Sequence, residues 1–480
     1  MELTLTLLLV VAILAGGVGA QDWEEQESIF ERTFRMMHYE PPPPPPSADS
    51  RSGSVKTVWI KQNLDHFNPK DKRTWNMRYM ANDQFYREGG SIFIYVGGEW
   101  VINSGSLMGG HMFDMAKEHN GYMFYTEHRY YGKSEPTSDL STENLKYLHV
   151  RQALADLAHF ITTIKATIPG LANSKVILVG ASYSATMVTW FKKLYPDLAT
   201  GCWASSAPLF AKVDFFEYNE VAAESISLLG GKKCVDRIRR GIEEMEHMFA
   251  NKRGAEVKAM LKICNNFDEW NDMDMSSLFT LISNFFAGTA QQHRNNTIQK
   301  MCEELMEDEE DLLSVVRYMG LHHTKKCNDF TYKFMIRSLK ETKFDNGMWR
   351  QWTYQTCNEY GWFATSNSTR QPFGTKFPAT FHTTRCSDIY SAKFTLEYIH
   401  KQIDGTNEFF GGLSPNVENV YMTHGQLDPW RAMGIQSETQ AITIPMHSHC
   451  SDLGPLKDTD TPEMRSSKEK IAELVRKWIG

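Results

Sequence analysis

The chain has 480 residues, 41% of them hydrophobic and 12% aromatic, a globular balance that leaves room for one large core plus an inserted or second domain. With 51 Lys and Arg against 58 Asp and Glu, the formal charge of −7 gives no reason to expect nucleic acid or an anionic membrane surface as partner. The same figures disfavour a single small binding module and a disordered chain.

Met1 leads into an apolar stretch, Leu3 to Leu14, and then into the small residues Gly16 to Ala20 before the chain turns polar at Gln21. Residues 1–20 therefore read as a cleaved signal peptide. Glu2 stands where such segments usually carry Lys or Arg, which keeps an uncleaved anchor as the alternative, and no later segment approaches a membrane span. Residues 21–54 read as a linker or propeptide, because the six prolines Pro41 to Pro46 cannot join a helix or a sheet; they act as a stiff spacer.

The folded body starts near Val55. Ser91 to Val96 and Gly121 to Tyr125 have the composition of buried strands. Between Val150 and Ile168, Leu154, Leu157, Ile161, Ile164 and Ile168 recur at helical spacing. Lys175 to Val179 is the next strand, and this β-α-β succession predicts a parallel sheet with helices on both faces over residues 55–212. From 213 to 390 the character changes to charged, Met-rich amphipathic stretches such as Lys232 to Met260 and Ile298 to Met319, which predicts a helical insertion. Strands resume near Val420 and at Ala441 to Ile444, and residues 391–480 close with a helix over Met464 to Ile479. Eight cysteines without a zinc-like CxxC pair predict disulfides in an oxidising compartment, with no metal and no cofactor. Asn295 and Asn367 head glycosylation sequons that agree with it.

Gly180-Ala181-Ser182-Tyr183-Ser184-Ala185 puts a serine between a buried strand and a helix, the setting of a nucleophile elbow. There the backbone N–H of Tyr183 would face a developing oxyanion. A serine hydroxyl needs a base, and the base needs a carboxylate to fix its tautomer; in this class of fold the chain order is Ser, acid, His. Asp428 follows one late predicted strand, and His447 and His449 follow the next.

These residues resemble the serine peptidase family of lysosomal Pro-Xaa carboxypeptidase, dipeptidyl peptidase II and thymus-specific serine protease. The resemblance runs from Gln62-Asn63-Leu64-Asp65-His66-Phe67 through Tyr95-Val96-Gly97-Gly98-Glu99, Glu127-His128-Arg129-Tyr130-Tyr131-Gly132-Lys133-Ser134, Gln152 to Leu157 and Ala204 to Pro208. It continues with Trp352 to Cys357, Leu427-Asp428-Pro429-Trp430 and His449-Cys450-Ser451-Asp452-Leu453. It implies an α/β-hydrolase fold with a helical, disulfide-containing lid inserted before the acid and base, and catalytic Ser182, Asp428 and His449, with His447 the competing base. Further implications are Gly98 as a second oxyanion donor, Trp430 as a wall of a proline pocket, and the disulfides Cys234–Cys302, Cys264–Cys327 and Cys357–Cys386. Cys202 and Cys450 are left over, free or bonded to each other.

The elbow departs from the family pattern, which has glycines where this chain has Ala181, Ser184 and Ala185. If Ser184 sat at positive φ, the turn would be strained. Two further readings therefore stand beside a serine exopeptidase acting on proline-containing peptides: a secreted, catalytically weak member that binds peptides or a protein partner, and an esterase or lipase. The direction of cleavage, an extracellular against a lysosomal fate, and assembly as a homodimer stay open at this level.

Overall fold

A computed structural model describes residues 43–50, 53–324, 326–344 and 347–480. The signal-peptide reading lies outside the described residues. Eight strands form one sheet: β1 (Val55–Asn63), β2 (Thr74–Asn82), β3 (Ile92–Val96), β4 (Tyr122–Thr126), β5 (Val176–Ala181), β6 (Gly201–Ser205), β9 (Val420–Gly425) and β10 (Ala441–Ile444), in the order β1-β2-β4-β3-β5-β6-β9-β10. The run from β4 to β10 is parallel, while β2 is antiparallel to both of its neighbours, so the sheet is mixed where a parallel one was expected. The β1–β2 ribbon left no signature in the sequence because β1 is largely exposed and lacks a continuous apolar run. The central strands are apolar without interruption because both faces are covered. On one face Ile92, Ile94, Phe124, Leu178 and Cys202 join a large core with helices Val150–Thr167 and Tyr183–Leu194. The intervening residues Phe93, Tyr95, Tyr125, Val179 and Trp203 point the other way, to helices His111–Glu118 and Pro462–Ile479.

Between β6 and β9 the chain is helical except for β7 (Lys212–Asp214) and β8 (Gly361–Phe363), a short parallel pair. This is an α/β-hydrolase fold with a helical insertion. The three disulfides Cys234–Cys302, Cys264–Cys327 and Cys357–Cys386 all form within the insertion. Cys202 and Cys450 are free and buried on opposite faces of the sheet, which is why they do not pair. Asn295 is exposed ahead of helix Thr297–Leu305, and Asn367 is exposed with its amide donating to Asp214 Oδ2 at 2.6 Å. Pro43 to Pro46 run alongside the sheet, where the Ser47 N–H donates to the Met108 carbonyl at 2.8 Å. Among the described residues, no helix is long and apolar enough to cross a membrane.

Several of the sequence motifs are buried polar joints. Arg129, fully buried, gives Nε and Nη2 to the Asp156 carboxylate at 2.6 and 2.8 Å and Nη1 to the Leu64 and Tyr147 carbonyls at 3.1 and 2.9 Å. His66 Nε2 lies 2.7 Å from Asp156 Oδ1. Three stretches far apart in sequence are thus fastened through one ion pair, in which every buried charge is matched. Glu127 plays the same part for the next turn: it accepts from Arg78 Nε at 3.0 Å, the Lys133 N–H at 3.0 Å and Ser134 Oγ at 2.9 Å. A Cβ on Gly132, at φ 60°, would fall 1.9 Å from Glu127 Oε1, so only glycine closes that loop.

Replacing Asp156 by Ala strands Arg129 in the core. We expect a loss of roughly 3–5 kcal/mol of stability in urea unfolding, and a loss below about 1 kcal/mol would show that this pair does not fasten the strand ribbon.

Candidate active site

Strand β5 delivers Ser182 at φ 54° and ψ −127°, a conformation that non-glycine residues rarely adopt and that is tolerated where surrounding structure holds it. Helix Tyr183–Leu194 begins immediately after it. Strand and helix come so close that a Cβ on Gly180 would lie 2.3 Å from the Ser184 carbonyl oxygen. The strain sits on Ser182, and Ser184 is an ordinary helical residue. Its hydroxyl both donates to the Ala181 carbonyl and accepts the Ala181 N–H, each at 2.9 Å, while Ala185 is fully buried. The side chains that replace glycine at this elbow are therefore accommodated, and one of them ties the turn together.

Asp428 ends the loop after β9 and caps the short 3₁₀ turn Pro429–Met433, with Oδ1 accepting the Trp430 N–H at 3.0 Å. Its other oxygen, Oδ2, lies 2.8 Å from His449 Nδ1. His447 turns away, with Nε2 3.4 Å from Thr461 Oγ1, so His449 is the histidine joined to the acid. The loop carrying His449 is fixed by its neighbour: the Cys450 N–H donates to Ser206 Oγ at 3.0 Å, and Cys450 Sγ donates to the Ser205 carbonyl at 3.7 Å. That same carbonyl accepts the Ser182 N–H at 2.9 Å. The serine turn and the histidine loop hang from one peptide at the end of β6.

The Asp428–His449 pair is buried. Burial opposes the charged form of His449, but the Asp428 carboxylate and its hydrogen bond outweigh it and hold the imidazole well above its ordinary value. For Asp428, burial pushes up while the His449 charge, its hydrogen bond and the Trp430 amide pull further down, so its carboxyl titrates below the usual range. Glu99, next to Gly98, is buried with one carboxylate oxygen unpartnered, and burial pushes its carboxyl up to about 7, tempered by its own backbone amide and by His449.

The Tyr183 N–H is the first amide of its helix, one of those that α-helical bonding leaves without an acceptor. Its side chain is held from the insertion: the Tyr183 hydroxyl receives Gln355 Nε2 and the Tyr360 hydroxyl, both at 2.9 Å. Gly98 follows β3, whose end is pinned by the Gly97 N–H on the Thr126 carbonyl at 2.9 Å. Trp430 stands with its ring 6.5 Å from that of His449.

Gln291, at the C-terminus of helix Asp272–Gln291, carries no signal in the sequence, yet its side-chain oxygen accepts from Trp430 Nε1 at 3.0 Å and the Tyr218 hydroxyl at 2.6 Å. Its carbonyl accepts from Ser448 Oγ at 2.8 Å. Lid, pocket wall and histidine loop meet on this one residue, about 140 to 160 positions from the two catalytic-domain segments that it touches, a distance over which local pattern says nothing.

A family model described as serine carboxypeptidase S28 matches residues 62–471. The mouse thymus-specific serine protease is 29% identical over 450 residues, covering 88% of this chain and 87% of its own length. The bovine lysosomal Pro-X carboxypeptidase is 26% identical over 454 residues, covering 88% and 87%. The solved structure of proline iminopeptidase from Mycobacterium smegmatis covers 84% of this chain and 96% of its own at 10% identity and a TM-score of 0.35, a distant likeness on which nothing rests. With the family model spanning most of its length, the chain belongs to the S28 family of serine carboxypeptidases.

Proposed function

We propose that this protein is a serine exopeptidase of the secretory pathway, extracellular or lysosomal, that cleaves peptides next to proline through an acyl-enzyme. The observation that carries the reading is the buried Asp428–His449 pair at 2.8 Å, on a loop that shares the Ser205 carbonyl with Ser182. The aromatic wall at Trp430 supports a proline ring beside it, since an apolar slot suits a residue without an N–H. The bovine relative, a lysosomal Pro-X carboxypeptidase, agrees. Three disulfides and a leader-like first 20 residues support the compartment.

In this reading neutral His449 takes the hydroxyl proton of Ser182 through Nε2 as Oγ bonds to the scissile carbonyl carbon, and Asp428 stabilises the imidazolium without taking its proton. The oxyanion is met by the Tyr183 and Gly98 amides. His449 then protonates the leaving amine and the C–N bond breaks. Water, deprotonated by His449, attacks the acyl carbon, and its proton returns to Ser182 Oγ as the acid product departs.

Three outcomes follow. Ser182→Ala abolishes labelling by a fluorophosphonate probe and cuts peptide hydrolysis on the order of a million-fold, whereas Asp428→Asn costs about 10⁴; a wild-type protein that folds and never labels would move the reading to a peptide-binding member of the family. The second outcome concerns pH. His449 must be neutral to act as base and its proton is held tightly, so kcat/KM falls as pH drops through its pKa. An ionised Glu99 favours the imidazolium further, and Glu99→Gln should therefore move that acid limb to lower pH; a limb that stays in place or moves up would sever Glu99 from His449. Third, Gln291→Leu removes the acceptor that Trp430 Nε1 and the Tyr218 hydroxyl share, and we expect proline-peptide kcat/KM to drop roughly 10- to 100-fold, on the scale of one or two lost buried hydrogen bonds, with KM rising. An unchanged KM would show that the lid does not position this wall.

A further inference from the structure

Beside Trp430 a cavity of about 140 Å³ opens into the insertion. Its walls are aromatic, with Trp352, Trp362 and Tyr218 among them, and its polar lining includes Ser277, His382 and Arg385. Each of these three carries a buried polar atom without a hydrogen-bond partner. Ser277 Oγ, 1% exposed as a residue, has no hydrogen-bond partner. His382, 4% exposed, lies flat on Phe363 with ring centroids 5.2 Å apart, and it approaches the Ala364 backbone without either ring nitrogen completing a hydrogen bond. Arg385 Nε is buried without an acceptor, and the groups that favour the guanidinium charge are the phenols Tyr332 and Tyr390, not a carboxylate. Burial lowers the proton affinity of Arg385, yet a guanidinium keeps its charge in proteins. His382 is kept neutral by burial and by the charge of Arg385, which leaves it one N–H to give.

A half-buried guanidinium whose Nε lacks an acceptor gains from a ligand that brings one. Among the described residues no Asp or Glu lines the cavity, so a substrate amine would meet a like charge and no acceptor ion. A carboxylate, by contrast, offers lone pairs to the guanidinium, to the serine hydroxyl and to the imidazole N–H together, in a site already walled by rings that suit a peptide.

We propose that this cavity is an anion-selective subsite in which Arg385, with Ser277 and His382, binds a carboxylate of the peptide substrate, either an acidic side chain near the scissile bond or the free C-terminus. The proposal rests on the peptidase reading above, because it takes the occupant to be a peptide. Under it the enzyme discriminates by charge as well as by ring shape, and release of an N-terminal dipeptide through a bound free amine is not served by this cavity.

The test uses the mature Ser182→Ala protein, so that ligands survive, and reads binding through tryptophan fluorescence, since tryptophans line the cavity. The probes are acetyl-Glu-Pro-Glu and acetyl-Gln-Pro-Gln, each as the free acid and as the C-terminal amide. At least one carboxylate-bearing peptide should bind roughly 10- to 100-fold tighter than the Gln amide, and the pattern tells side chain from terminus. In protein that also carries Arg385→Gln the advantage should vanish, and with Arg385→Lys part of it should return. Four equal affinities would overturn the subsite using protein unaltered at 385, so a misfolded Arg385 variant could not protect it. A preference that survives Arg385→Gln in folded protein would overturn it as well. Fluorophosphonate labelling of the wild type, run alongside, separates the two readings: labelling without carboxylate preference sinks the subsite alone, and carboxylate preference without labelling sinks the peptidase and leaves the subsite standing.

Discussion

Asp452 places a buried carboxylate under the ends of two neighbouring strands, and it takes its partners from three directions. Ser205 Oγ on β6 and Thr423 Oγ1 on β9 donate to its two oxygens, the latter at 2.6 Å, and Trp203 Nε1 approaches at 3.3 Å. An anion this deep has to be matched by donors with good geometry, and here those donors belong to the sheet. The loop on which Asp452 sits is the one that carries His449, so the position of that histidine is tied to the sheet. Together with the Cys450 and Ser448 hydrogen bonds, this anchor holds the loop that makes the 2.8 Å contact with Asp428.

The insertion is built into this arrangement as a load on the same parts. Helix Asp272–Gln291 reaches the histidine loop through Gln291, and the segment Trp349–Tyr360 reaches the serine turn through Gln355 and Tyr360 on the Tyr183 hydroxyl. Glu359 in that segment also receives the first amide of helix Val150–Thr167 at 2.9 Å. A lid joined at these points cannot swing as an independent flap without disturbing the serine turn and the histidine loop. The aromatic cavity and the serine elbow are consequently one mechanical unit.

The strand, tight turn and helix around Ser182 and the strands that precede Asp428 and His449 were legible because each is a local pattern in the right succession along the chain. The helices of the insertion were legible by their periodicity, though Lys232 to Met260 and Ile298 to Met319 each resolve into two helices. The disulfide pairing was legible only through family resemblance. What the pattern could not reveal is the purpose of motifs whose partners are distant: Asp156 and Arg129 lie on opposite sides of a turn and a helix, and His66 joins them from the edge ribbon. Ser184 marks the limit in another way. From sequence it threatened strain at positive φ, and only the fold reveals that Ser182 carries the positive φ while Ser184 closes a hydrogen-bonded ring on Ala181.

The placement of the cysteines has a consequence for how the chain matures. Cys202 and Cys450 belong to the hydrolase half and are buried on opposite faces of its sheet, and burial pushes the Cys202 thiol up to about 12. Once that sheet has formed, burial on opposite faces keeps the two sulfurs away from each other and from a passing disulfide. The pairing problem then shrinks from the roughly one hundred combinations open to eight cysteines to the roughly fifteen open to six, all within the insertion. Early assembly of the hydrolase half would in this way act as a proofreading step for oxidation of the lid.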